Sequence, residues 1–347
     1  MSELKMGIIG VGGIAQKRHI PVFFELKERV TLVAVSDVNQ SRAIEVAENN
    51  NIPHVFTDYK DMFKEVDAVT ICTPNKFHAE IAIAAFEAGV HVLCEKPMAI
   101  SVEECEAMLA ASKRANKVLA IAYHYRHMKQ PKAAKQAILE GEVGVPLVTR
   151  VQGLRRRKVP GWGVFTNKEL QGGGSLIDYG CHLLDLSLWL LGNPEPSEVV
   201  GRTYNRLSKV PNQVNEWGSF NHKTFDVDDH VTSYITFADG GSLLFECSWA
   251  ANIKEDKEHV SISGVDGGIN VFPLELYQAK NGMLATTEAQ SIIGEDNPGI
   301  PQANNFIDAC LGEAELVVQP EEALKITKII EAIYQSSQSG RKIEFKQ

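Results

Sequence analysis

The chain is poor in paired cysteine. Its six cysteines, Cys72, Cys94, Cys105, Cys181, Cys247 and Cys310, stand far apart in 347 residues, and none forms a C-x-x-C pair. That spacing offers neither a zinc site nor a disulfide framework, so no metal is expected and the thiols read as small buried hydrophobes of a reducing compartment. Basic charge is short as well. The 35 Lys and Arg against 44 Asp and Glu leave a formal net charge of −9, and the one concentrated basic run is Arg155 to Lys158. A nucleic-acid or acidic-membrane partner would normally meet a basic face, so neither is expected. No apolar stretch approaches the roughly 20 residues of a membrane span, and MSELKMGIIGVGG lacks the basic, apolar and cleavage regions of a secretory signal. Internal repeats and low-complexity tracts are missing too. These absences lead to the expectation of a cytoplasmic protein, with length enough for two domains that each bury a core.

What is present begins with an apolar run, Lys5 to Ile9, that stops abruptly in G-V-G-G-I-A. Gly10, Gly12 and Ala15 stand at the positions of a dinucleotide fingerprint: a tight turn, close approach of a pyrophosphate, and close packing of helix on strand. A second apolar run, Val30 to Val35, ends in Ser36 and Asp37, 22 residues beyond Ala15. A carboxylate there accepts hydrogen bonds from the adenosine ribose and repels a 2′-phosphate, which favours NAD; Ser36 and Arg42 leave NADP open. The competing explanation is a plain glycine turn with Asp37 on the surface.

The alternation of helix and strand continues. A helix over Ser41 to Asn49 precedes a short strand at His54 and Val55, and Tyr59 to Phe63 lead into the buried strand Ala68 to Cys72. Thr73-Pro74-Asn75 follows at the carboxyl end of that strand, where open parallel sheets place their ligands. Asn75 is suited to cap the next helix, whose apolar face is Ile81, Ala82, Ala85 and Phe86 with Gly89 as its stop. His78 falls in that helix's first turn, and composition alone favours a solvated residue there. Strand Val90 to Cys94 then runs into Glu95-Lys96-Pro97-Met98, and Ser101 with Glu104 forms a capping box that makes residues 95 to 100 a fixed connection. Lys96 is thereby held where the nicotinamide end of a cofactor belongs, its ammonium able to polarise a hydroxyl, with Pro97 suited to a cis bond. A surface Lys-Pro turn is the alternative. Strand Val118 to Tyr123 closes the unit and hands over to His124-Tyr125-Arg126.

In the second half the richest stretch is GGGSLIDYGCHLLD, Gly172 to Asp185. Three glycines permit close approach of backbone to a ligand, and Asp178, His182 and Asp185 follow at helical spacing. An imidazole exchanges protons near neutral pH, and a carboxylate one turn away orients it. A glycine loop ahead of a capped core helix explains the same residues, since LLDLSLWLL is a buried run. Upstream, VTRVQGLRRRKV alternates as a strand with Arg155 and Arg157 on one face and Arg156 on the other. That face is either a charged exterior or one that selects an anionic or heavily hydroxylated ligand. Gly161-Trp162-Gly163 reads as an aromatic loop whose indole packs on a sugar ring or covers a core edge. Val231 to Phe237 and Ser242 to Ser248 form a hairpin through Ala238-Asp239-Gly240-Gly241, and His259 to Ser263 with Gly268 to Phe272 extend the sheet. Asp226, Asp228 and Asp229 read as a solvated loop, residues 282 to 301 as a surface loop, Asn304 to Leu311 and Glu321 to Ser337 as helices, and Lys342 to Phe345 as a last strand.

GVGGIA, TPNKFH, CEKPMA, AYHYR and GGGSLIDYGCHLLD, in this order and spacing, resemble the glucose-fructose oxidoreductase, inositol dehydrogenase and rhizopine-catabolism (Gfo/Idh/MocA) family over essentially the whole chain. The resemblance implies an α/β architecture. An N-terminal NAD(P)-binding Rossmann domain, residues 1–123, is joined to a substrate-binding α/β domain, residues 124–347. The large open sheet of that second domain is mainly antiparallel and commonly forms the interface of a homodimer or homotetramer. It implies catalytic roles for Lys96, Asp178 and His182, with His182 the general base or acid and Asp185 in support. Gly10, Gly12, Gly13, Ile14, Ala15, Asp37, Thr73, Pro74, Asn75, His78, Glu95, Lys96 and Arg126 fall on the cofactor side. Tyr125, Arg155, Arg157 and Trp162, with Lys96, Asp178 and His182, are candidates for the substrate side. The implied activity is NAD(P)-dependent hydride transfer at a secondary hydroxyl or ketone of a sugar or cyclitol. Alternatives are a non-sugar carbonyl or diol, and a non-catalytic dinucleotide-responsive binding protein, which would need none of Lys96, Asp178 and His182.

Overall fold

Short runs of buried aliphatic residues, several of them β-branched, build the first of two sheets. A computed structural model describes residues 4–345. It divides into one unit that runs through His127 and takes up Asn297–Thr327, and a second that holds Met128–Asp296 and residues from Lys328 onward. In the first unit β1 (Leu4–Ile9), β2 (Val30–Ser36), β3 (His54–Phe56), β4 (Ala68–Ile71), β5 (His91–Cys94) and β6 (Leu119–Ile121) lie in the order β3-β2-β1-β4-β5-β6, all parallel. Every residue of β4 is buried, as befits a strand covered on both faces. The crossovers carry α1 (Ile20–Glu25), α2 (Gln40–Asn50), α3 (Tyr59–Met62), α4 (His78–Glu87) and α5 (Val102–Ala115).

Local chemistry sets where these helices begin and end. Asn39 accepts the Arg42 N–H to cap α2, and Asn51 closes that helix in the left-handed conformation at φ 54°. At α5 the Ser101 hydroxyl accepts the Glu104 N–H at 3.2 Å, while the Glu104 carboxylate accepts the N–H of Ile100, one residue ahead of the cap, at 3.2 Å. The capping box read from the sequence is present in this shifted form. The strand order reverses between β1 and β4, which puts a ligand crevice at their carboxyl ends. Gly10 makes that turn possible. Its φ is +85°, and a Cβ there would stand 2.9 Å from the Cys72 carbonyl and from the Thr73 nitrogen.

The second unit opens with α6 (Lys129–Leu139). It is built on nine strands in the order β14-β13-β12-β11-β7-β10-β9-β8-β15, antiparallel except for β7 with β10. These are β7 (Pro146–Leu154), β8 (Pro196–Tyr204), β9 (His230–Phe237), β10 (Ser242–Ser248), β11 (Lys257–Gly264), β12 (Gly267–Asn270), β13 (Glu275–Lys280), β14 (Met283–Glu288) and β15 (Ile343–Glu344). A four-residue helix, α7 (Lys168–Gln171), leads to α8 (Cys181–Leu190), whose residues are buried on every side except at Trp189. Gly153 lets this helical segment lie on β7: a Cβ would meet Leu183 at 2.4 Å and the Tyr179 ring at 2.8 Å. Along the strands Val199, Ile235, Leu243 and Val260 are buried, while Val200, Tyr204, Tyr234 and Leu244 are exposed, so one face of the sheet is covered and the other open. The chain then returns through α9 (Gly299–Leu311), whose Ala303, Phe306 and Ile307 complete the core around Ile20 and Phe23 of the first unit. The last helix, α10 (Pro320–Ser339), begins in the first unit and ends in the second, where Ser336 and Ser337 accept the N–H groups of Gly201 and Thr203 on β8.

Two expectations need correction. Residues 282 to 301 are not one surface loop, because β14 occupies Met283–Glu288 and α9 starts at Gly299. Asn281 and Gly282, at φ 55° and 73°, make the Asn-Gly hairpin turn between β13 and β14, and Pro301 sits harmlessly in the first turn of α9. Nor is the basic run a strand. β7 stops at Leu154, Arg157 has φ 56°, and the Lys158 N–H donates to the Trp249 carbonyl, so Arg155 and Arg157 do not share a sheet face. Among the described residues no helix is long and apolar enough to cross a membrane.

Replacing Gly10 by Ala should cost about 2 kcal/mol or more, since both φ and the Cys72 carbonyl oppose a side chain. Denaturant titration of the variant against the parent chain measures it.

Candidate active site

The crevice of the first unit is lined by a glycine turn, a carboxylate and a hydroxyl. A Cβ on Gly12 or Gly13 would meet nothing within 4 Å, so this turn faces open space. Ile14 is partly exposed and Ala15, fully buried, starts the π-turn Ala15–His19 that leads into α1. The Asp37 carboxylate is buried and accepts the Val11 N–H at 3.0 Å and the Asn39 N–H at 2.8 Å, and Arg42 donates to both its oxygens, at 2.7 and 3.2 Å. It therefore ties the glycine turn to the end of β2. Past β4, the buried Thr73 Oγ1 has no hydrogen-bond partner among the described residues, Pro74 is extended, and Asn75 starts a 3-10 turn ahead of α4. An open turn at a helix start, an anionic group at the end of β2 and an orphaned hydroxyl between them fit a dinucleotide. Gly12 and Gly13 would take its pyrophosphate and Asp37 its ribose.

The turn after β5 is braced from two sides. The Lys96–Pro97 bond is cis. Glu95 is buried, its Oε1 2.8 Å from His19 Nε2, and its Oε2 accepts the Lys96 N–H at 3.2 Å. Burial alone would raise this carboxyl; His19, with Arg18 and Lys96, outweighs it and holds the group at about 2. His78 is not the solvated residue that composition suggested. It is fully buried, with Nδ1 2.8 Å from the Pro97 carbonyl and Nε2 3.1 Å from that of Thr73. Burial lowers its pKa, and a neutral ring has one N–H, which we assign to the shorter contact. His78 thus links the Thr73 turn to the Lys96 turn. Behind them Arg18 Nη1 lies 3.1 Å from Nδ1 of His124, and burial together with this guanidinium pushes the imidazole down to about 3. Tyr125 packs edge-on against His124, and Arg126 is fully buried, donating to the Val317 carbonyl and pairing with Glu322.

In the second unit the glycines serve the protein itself. Gly172 has φ +81°, a Cβ on Gly173 would stand 2.1 Å from the Tyr334 hydroxyl, and one on Gly174 2.0 Å from the Asp228 carbonyl. Asp228 belongs to no solvated loop: its carboxylate accepts from Gly174 N–H (2.8 Å), Ser175 Oγ (2.8 Å), Leu176 N–H (2.9 Å) and Tyr334 Oη (2.6 Å). Asp229 is buried beside it, accepting the Ser208 N–H at 2.7 Å, and its pKa is raised by burial. From this anchor a π-turn, Leu176–Gly180, leads into α8. Asp178 lies in the π-turn, where Trp249 Nε1 donates to its Oδ2 at 3.1 Å and Arg155 Nη1 lies 3.6 Å away. His182, in the first turn of α8, is mostly buried and Asp185 wholly so. Arg155 is held between the rings of Tyr179 and Trp217, at 4.2 and 4.8 Å. Arg157 lies on the same loop, its carbonyl accepting the Glu216 N–H, and Trp162 stands half exposed against Trp217. Tyr334, Trp249 and Trp217 have no signal in the sequence, because none carries a motif and their partners here, Asp228, Asp178 and Arg155, lie 106, 71 and about 60 residues away.

Residues 4–123 match the family model described as "Oxidoreductase family, NAD-binding Rossmann fold", and residues 132–270 match "GFO/IDH/MocA C-terminal domain". The chain is 36% identical to the D-glucoside 3-dehydrogenase of Escherichia coli over 99% of its length and 98% of that protein. It is 31% identical to the levoglucosan dehydrogenase of Pseudarthrobacter phenanthrenivorans over 78% of its length and 73% of that protein. A solved levoglucosan dehydrogenase in complex with NADH and levoglucosan superposes with a TM-score of 0.86 at 26% identity, covering both chains fully.

Asp228→Ala should destabilise the second unit by about 3 kcal/mol or more, because four buried donors lose their acceptor; urea unfolding followed by far-UV circular dichroism measures it. His124 and His78 are held neutral in the folded chain but protonate in the unfolded one below about 6.5. Stability is therefore complete above that value and falls as pH drops toward 3. The fall in thermal midpoint between about pH 7 and pH 5 should be smaller in His124→Gln.

Proposed function

The chain belongs to the Gfo/Idh/MocA oxidoreductase family, and on that premise we propose that it oxidises a secondary ring hydroxyl of a glucoside-like sugar with NAD, or reduces the matching ketone. The observation that carries this reading is the end-to-end similarity to a D-glucoside 3-dehydrogenase. Electrostatics favour a neutral substrate: Arg155 faces Asp178 and is sandwiched between two rings, an arrangement unlike a phosphate anchor. Gly12, Gly13, Asp37, Thr73 and the Lys96 turn would hold NAD, which would supply the hydride acceptor. His182 takes the hydroxyl proton on its imidazole as the C–H bond gives up its hydride, and passes that proton to water. Asp178 stabilises the resulting imidazolium and orients the neighbouring sugar hydroxyls. We assign to the Lys96 ammonium a hydrogen bond to the reacting oxygen; the backbone of this residue is held by Glu95.

The open face of the nine-stranded sheet, with Val200, Tyr204, Tyr234 and Leu244 exposed, supports association of two or four copies through that face. A cytoplasmic location agrees with the scattered free thiols.

A 340 nm screen of NAD and NADP against glucosides, levoglucosan, inositols and sugar phosphates tests the assignment, with glucosides and NAD expected to respond. Bound NAD without reduction by any member of the panel would instead identify a dinucleotide-responsive binding protein. His182→Ala should bind NAD as the parent does and lose turnover by a factor on the order of 10² or more; full activity in that variant removes the residue from the role.

A further inference from the structure

The second unit pairs Trp162, a candidate for the substrate side, with a second exposed tryptophan, Trp217, that carries no motif. Trp162 is 53% exposed and Trp217 37%, whereas the neighbouring Trp249 is wholly buried. Their ring centroids lie 5.4 Å apart at an interplanar angle of 46°, and Phe165 supports Trp162 edge-on at 6.2 Å. Two exposed indoles side by side leave apolar surface in water, a cost that a ligand would remove.

The ledge is rigidly built. The Asn215 side chain accepts the Val159 N–H at 2.8 Å and donates to the Val159 carbonyl at 2.9 Å and the Gly218 carbonyl at 2.8 Å, which clamps the Trp217 loop to the Trp162 loop. Gly161 allows the close fit, since a Cβ there would stand 2.5 Å from the Ser219 carbonyl oxygen. Lys158 ties both to Asp256 and Glu216, at 2.6 and 3.3 Å. Beneath them Val159, Phe225, Val227, Trp249 and Ala250 form a separate small core against which Phe165 and Phe220 pack. These contacts hold the two loops in place, which lowers the ordering cost a ligand would meet.

Its position says what it takes. Asp178 is followed by Arg155 at 3.6 Å, Arg155 by Trp217 at 4.8 Å, and Trp217 by Trp162 at 5.4 Å, so an unbroken chain of contacts links the ledge to the candidate catalytic carboxylate. We propose that Trp162 and Trp217 form a second binding site that stacks the ring joined through the glycosidic bond to the sugar being oxidised. The occupant is a ring with a flat apolar face, either the C–H face of a second pyranose or an aryl aglycone, both of which pack on indole. The inference rests on the glucoside-oxidising activity proposed above and makes the preferred substrates glycosides with a cyclic second group.

The test compares kcat/KM for methyl glucoside, phenyl glucoside and cellobiose with NAD in the parent chain, Trp162→Ala, Trp217→Ala and Trp217→Phe. For at least one of the two ring-bearing substrates, the ratio of its kcat/KM to that of methyl glucoside should fall roughly tenfold in the alanine variants and recover in Trp217→Phe. Loss with phenyl glucoside alone identifies an aglycone site, and loss with cellobiose alone a sugar site. Ratios unchanged within about twofold, or equal falls for all three substrates, overturn the proposal. Quenching of indole fluorescence by phenyl glucoside provides a readout independent of turnover. If the parent chain oxidises no glucoside, the activity reading fails, while saturable quenching that Trp162→Ala abolishes still supports the ledge and its absence removes it.

Discussion

Four donors converge on the carboxylate of Asp228 within 2.6 to 2.9 Å: two backbone N–H groups, the Ser175 hydroxyl and the Tyr334 phenol. A buried charge is tolerable only where hydrogen bonds replace its water, and here the bonds come from the segment that leads to Asp178 and His182 and from the last long helix. The glycines at 173 and 174 are the steric condition for this, since any side chain would push Tyr334 or Asp228 away. One anion therefore sets where the π-turn begins, and the π-turn sets where Asp178 meets Trp249 and Arg155.

The first unit uses the same device on a smaller scale. Glu95, buried and ionised, joins His19 of the turn after the glycines to the backbone of Lys96, while neutral His78 spans the Thr73 and Pro97 carbonyls. Three loops from the ends of three different strands are thereby fixed relative to one another by these hydrogen bonds. Such bracing is what hydride transfer asks of a protein, because the cofactor carries the chemistry and alignment is the contribution left to the chain.

Much of this was legible in order along the chain. The glycine turn, Asp37 at the end of the second strand, the Ser101–Glu104 cap and the Asp-Gly hairpin all rest on local stereochemistry, which sequence spacing reports directly. Asp228 was misread because its partners lie 52 to 106 residues away, and no local rule distinguishes a carboxylate that will meet four donors from one that will meet water. His78 failed for the same reason: one of its two partners, the Pro97 carbonyl, lies nineteen residues on. β14 was hidden by its exposed residues, which carry no alternation, although Asn281-Gly282 announces the hairpin. The basic run deceived in the opposite way, alternating on paper while Arg157 adopts a left-handed backbone.

The discontinuity of the first unit bears on how such a chain can be recombined. Phe306 and Ile307, which fill its core beside Ile20 and Phe23, are encoded some 180 residues after His127. A crossover that exchanges the amino-terminal third between two relatives would therefore graft one ancestor's strands onto the other's packing helix, and compatibility of that buried seam would decide which chimaeras fold. The carboxyl-terminal segment is thus co-inherited with the nucleotide-binding half as well as with the sheet it helps to cover.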